Sequence, residues 1–79
     1  MKSSTISIKS ACTVAHTKIR TIQSAHRNGV ITTIQYVQEL MNIRDNIASL
    51  AQKASTRTAK SYIDDIVESC EYRIKKVSK

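Results

Sequence analysis

The chain has 79 residues and carries thirteen Lys or Arg against six Asp or Glu, a formal charge of +7, with one Gly and no Pro, Trp or Phe. A domain of this size buries only about 60% of the surface its unfolded chain exposes, so the core must be thin. One Gly does not build a phosphate-cradling loop, and no Ser, His and acid spacing signals a nucleophile, so the composition predicts a binding protein, no enzyme, and no cofactor.

The opening residues 1–7, MKSSTIS, are rich in Ser and Thr, which compete with the backbone for hydrogen bonds, and they predict a flexible start before one helical domain over 8–79. Lys9 and the Ser and Thr residues interrupt any apolar run after Met1 and Lys2. Neither a secretory signal nor a membrane span is therefore expected, and the chain reads as cytoplasmic, with Cys12 and Cys70 reduced and buried.

From Ile8 the pattern turns helical. Ile8, Cys12, Ala15, Ile19 and Ile22 recur at steps of four and three, which predicts a helix over about 8–27 with a narrow apolar stripe. Rotated by one residue runs a polar series at the same spacing: Lys9, Thr13, His16, Arg20, Gln23 and Arg27. Every cation up to Arg27 precedes the first acid, Glu39, so one side of this helix is a basic ridge and the candidate site for a partner or nucleic acid. Gly29 sits where this helix should stop, because Gly takes the left-handed conformation of a helix terminus without steric cost.

A second helix is predicted over about 30–54, with Val30, Val37, Arg44 and Ala51 on one seam, Thr33, Leu40, Ile47 and Ala54 on the next, and Tyr36, Ile43 and Leu50 beside them. So wide an apolar face needs more than one neighbour. It makes this the helix that the rest packs around, and it assigns Val37, Leu40, Arg44 and Ile47 to an oligomer interface. Arg44 breaks the apolar pattern, and either reaches solvent or pairs with Asp64, Asp65 or Glu68.

Ser55 or Thr56 caps a third helix over about 57–77, the alternative being one continuous rod from Val30 to Val77. Ala59, Tyr62 or Ile63, Ile66, Cys70, Ile74 and Val77 form its apolar face; Asp64, Asp65, Glu68 and Glu71 lie opposite. Arg73, Lys75 and Lys76 come late, as the helix dipole favours, and Glu71 with Lys75 is spaced as an ion pair.

Two sharper motifs fail on spacing. A helix-turn-helix built on Ala25 and Gly29 requires apolar residues where Gln35 and Gln38 stand. Cys12, His16 and Cys70 lack an evident fourth ligand, so no metal is expected. What remains is an all-α, three-helix antiparallel arrangement that self-associates as a homodimer or higher oligomer. Its first functional reading is a regulator or inhibitor that docks the basic ridge on an acidic protein. Sequence-tolerant nucleic-acid binding through the same ridge is the second, and a structural assembly subunit the third.

Overall fold

The computed structural model describes residues 5–54 and 56–77, with the side chains of residues 5 and 6 excepted. It has three helices, α1 (Thr5–Arg27), α2 (Thr33–Ser49) and α3 (Arg57–Val77), with a 3-10 turn over Leu50–Lys53. Each helix packs on the other two, in a body of 41 × 20 × 16 Å. Among the described residues no helix is long and apolar enough to cross a membrane.

The core is drawn equally from the three helices. Ile8, Cys12, Ala15 and Ile19 come from α1, Tyr36, Leu40, Ile43 and Ile47 from α2, and Ala59, Ile63, Ile66 and Cys70 from α3. Each set advances by four, three and four residues, the step that keeps one seam of a helix facing its neighbours. No single helix is the scaffold, and the buried face of α2 is narrower than its sequence suggests. Val30 lies in the turn with 74% of its surface exposed, and Ile34 on α2 is 72% exposed. Both cysteines are free thiols in this core.

Asn28 to Thr32 make the first reversal. Gly29 N–H donates to the His26 carbonyl at 3.1 Å and Val30 N–H to the Ala25 carbonyl at 2.8 Å, while Gly29 has φ +76. This is the paired closure of a Schellman motif, and it satisfies carbonyls that the helix end leaves free. The start of α2 falls at Thr33 and not at Val30, because Thr32 and Gln35 form a reciprocal capping box. Gln35 N–H donates to Thr32 Oγ1 at 3.1 Å and Thr32 N–H to Gln35 Oε1 at 2.9 Å. Ile31 and Tyr36 occupy the two staple positions around this cap, and both pack in the core.

At the other end α2 tightens into the 3-10 turn, and Ala54 is extended with ψ 122, which ends the helix and rules out the continuous rod. Thr56 Oγ1 then accepts from Ala59 N–H at 3.1 Å and caps α3, as expected of Ser55 or Thr56; Ser55 lies outside the described residues. The first helix begins earlier than expected, at Thr5, so the flexible start survives only as an expectation for residues 1–4, which lie outside the described residues.

A Cβ added at Gly29 meets no atom within 4 Å, so the backbone alone sets the cost of replacing it. Gly29→Ala is expected to destabilise the fold by about 1–2 kcal/mol in chemical denaturation, and Gly29→Val by more. An unchanged midpoint for both would show that the left-handed turn contributes nothing.

Candidate functional site

The basic ridge lies beside the core seam of α1 on the side that faces α3. Lys9, Thr13, His16, Arg20 and Arg27 are exposed and Gln23 is half-buried, so all six residues reach one surface. Lys9 and Arg27 are separated by eighteen residues, or about 27 Å along the helix. Thr13 differs from the expectation of a free polar contact. Its hydroxyl donates to the Lys9 carbonyl at 3.0 Å, and Thr17 and Thr21 repeat the bond to Thr13 and Thr17 at 3.2 and 2.9 Å. These hydroxyl protons are committed to the helix itself.

At its upper end the ridge runs into a cleft of about 450 Å³ lined by Gln23, His26 and Arg27 of α1, Tyr36 of α2, and Arg73, Lys76 and Val77 of α3. His26 stacks on Tyr36 with centroids 4.5 Å apart and planes 5° from parallel, and its Nε2 lies 3.0 Å from Thr33 Oγ1. Arg73 is half-buried; its Nη1 reaches the Ser69 carbonyl at 3.3 Å and Ser69 Oγ. Burial pushes the Tyr36 hydroxyl above its ordinary range, and nearby Arg73 partly offsets this. Cations, an imidazole, an amide and a buried phenol line this cleft, and among the described residues no carboxylate does, so its lining carries net positive charge.

His26, Arg73 and Lys76 extend the site beyond the six ridge residues. The sequence pattern explains Lys76 by the helix dipole and leaves Arg73 in the same group, because a single helix does not reveal which end of a neighbour lies beside it. A signal was present for both His26 and Arg73. Continuing the four-three step of each core seam lands on them, where an apolar residue would be the ordinary occupant.

The acids collect elsewhere. Glu68, Glu71, Tyr72, Ile74 and Lys75 of α3 line a groove against Arg44 of α2. Arg44 Nε pairs with the adjacent Asp45 Oδ1 at 3.2 Å, with both side chains partly in solvent, so the partner is neither Asp64, Asp65 nor Glu68. This is the only ion pair among the described residues; Glu71 and Lys75 share the groove without forming one. Of the expected oligomer interface, Leu40 is 0% and Ile47 6% exposed, both occupied by the chain's own core, while Val37 and Arg44 keep part of their surface.

Cys12 and Cys70 face inward while His16 faces out, so these three donors do not converge; among the described residues no group of three or more His, Cys, Asp or Glu is placed to hold a metal. The chain matches no protein family, and no curated protein or solved structure resembles it.

Burial raises both thiols above the ordinary cysteine range. The Asp65 carboxylate adds to the effect at Cys12, while at Cys70 Arg73 and Arg44 partly offset it and Glu71 adds to it. A thiol that ionises more easily in the unfolded chain stabilises the fold fully below its unfolded pKa and loses that contribution as pH rises. Thermal melts are therefore expected to shift down as pH climbs past about 8.5. Cys12→Ser with Cys70→Ser should flatten that shift, and an equal slope in the double variant would assign it to other groups.

Proposed function

We propose that this chain is a small non-enzymatic binding protein, a regulator or inhibitor, that docks its basic α1 ridge and the adjoining α3 cations on an acidic protein surface. The observation that carries this reading is the lack of any intrachain ion pair to Lys9, Arg20, Arg27, Arg73 or Lys76 among the described residues. An unneutralised row of cations on one face attracts a partner of opposite sign and speeds its approach.

Nucleic acid would meet the same charge, and it is the second reading. It is weaker because the six ridge residues include no Tyr, Trp or Phe for a base to stack on: Tyr36 is buried, Tyr62 is half-buried against the core, and Tyr72 lines the groove between α2 and α3. The three Thr hydroxyl protons on α1, already donated to carbonyls, are not free for phosphate oxygens.

Capture from nuclease-treated lysate at rising salt, with Lys9→Gln, Arg20→Gln and Arg27→Gln combined as the comparison, separates the readings. An acidic protein retained by the parent and lost by the variant, with the loss concentrated in the association rate, supports docking. Retention that vanishes with nuclease assigns the ridge to nucleic acid instead. Identical capture by the variant reduces the ridge to a solvated surface. Each exposed substitution should change stability by no more than about 0.5 kcal/mol, so folding does not confound the result.

Self-association belongs to the same proposal, but through a different set of residues from those named at first. Ile34, Val37 and Met41 recur on one outer side of α2, with Val30 in the turn before it, and all but Val37 are among the exposed large hydrophobics. Between Asn28 and Ile43 there is no Lys or Arg, in a chain that has thirteen. A second copy, itself at +7, meets least repulsion there. Light scattering over a dilution series is expected to give a dimer or larger species that Ile34→Glu dissociates. A parent that stays monomeric at high concentration removes both this proposal and the assembly-subunit reading.

A further inference from the structure

The upper end of the bundle, where α1 and α3 finish and α2 begins, interrupts the chemistry of its own core. One further step along the seams leads through Ile22 to His26 on α1 and from Cys70 to Arg73 on α3, beside Tyr36, the first core residue of α2. Positions that the geometry turns inward are thus held by an imidazole and a guanidinium. Arg73 is fixed by its Nη1 bonds to Ser69, and its Nε is buried with no hydrogen-bond partner. Buried donors are almost always satisfied, so the chain's own acceptors leave part of this guanidinium unused at the wall of an open cleft.

Two explanations compete for the cations around it. The C-terminal ends of α1 and α3 carry partial negative charge, which Arg27 and Lys76 are placed to offset in the last turns of those helices. Arg73 lies before the last turn of α3 and faces inward, so the dipole does not account for it. Nor does an internal acid, since among the described residues no carboxylate lines the cleft.

We propose that the cleft is a binding site for a phosphomonoester dianion, held between Arg73 and Lys76 of α3 and Arg27 of α1. A doubly charged group with three acceptor oxygens suits several donors converging from two helices, whereas one guanidinium fork already satisfies a carboxylate. The volume of about 450 Å³ admits the phosphate together with the stem that carries it. The site gives the upper end of the docking face its ligand class and rests on that reading only for the source of the phosphate, a phosphorylated side chain of the protein partner. Free phosphate offers the same chemistry.

Amide and side-chain NMR of the full chain, titrated at constant ionic strength with inorganic phosphate, O-phospho-L-serine and acetate, tests it. The expected result is a saturable shift confined to Gln23, His26, Arg27, Arg73 and Lys76, with acetate far weaker. Arg73→Gln should weaken phosphate binding roughly tenfold or more, the usual worth of a charged hydrogen bond. Lys76→Gln, at an exposed position where folding is not at risk, should weaken it several-fold. Tighter binding of O-phospho-L-serine than of phosphate supports the side-chain source, and equal binding supports free phosphate. The site is overturned if shifts do not saturate, if they spread equally to Lys9 and Arg20, if acetate matches phosphate, or if both variants bind as the parent does. The docking reading fails separately, when Lys9→Gln with Arg20→Gln leaves partner capture intact while phosphate still titrates the cleft.

Discussion

Twelve side chains, four from each helix at the same four-three-four step, are the constraint from which the rest of this structure follows. In so short a chain that seam is the fully buried part of the core, with nine partly buried apolar residues packed against it, and each helix needs both of the others to cover it. Large members such as Leu40 and Ile66 are wholly enclosed, and truncating one to Ala is the kind of change that costs about 2–5 kcal/mol. Two short reversals lock the helices in register, one by Gly29 with the Thr32 and Gln35 box, the other by Ala54 and Thr56. Once the seam is closed, everything outside it is free to serve something other than folding.

The α1 and α3 stripes were legible because each is narrow: Ile8 to Ile19 leave one way to place the core, and on α3 only the choice between Tyr62 and Ile63 is open, Ile63 being the buried one with Tyr62 partly buried beside it. The face of α2 was not, because two apolar stripes share that helix. Tyr36, Leu40, Ile43 and Ile47 go inward, while Ile34, Val37 and Met41, with Val30 just before the helix, lie to one side, and periodicity marks apolar positions without saying which stripe meets a neighbour. The capping box at Thr32 was readable as a Thr followed three places later by Gln, but the apolar pair Val30 and Ile31 drew the helix start too early. The ridge residues of the candidate site came from spacing alone. Their union with Arg73 and Lys76 needed the topology, since it depends on α1 and α3 ending side by side.

That topology also sorts the charge. The side where α1 meets α3 gathers Lys9, Arg20, Arg27, Arg73 and Lys76, with Asp65 the acid felt by buried Cys12. The side where α2 meets α3 gathers Glu68, Glu71 and the Arg44 and Asp45 pair, next to the cation-free outer surface of α2. α3 borders both. The basic face and the apolar outer stripe of α2 do not compete for space, so a dimer formed as proposed would display two basic faces and gain by bivalent attachment to a repeated partner.

On α3 Lys75 and Lys76 stand in the last turn, where the helix dipole favours cations, and Glu71 and Lys75 lie one turn apart without forming an ion pair. In its 23 residues α1 has no acid at all, so none of its cations gains a local partner, and His26 and Arg27 alone sit where the dipole welcomes them. Lys9, Lys18 and Arg20 form no ion pair among the described residues. Charge that does nothing for the fold, kept along about 27 Å of one surface, is charge directed outward.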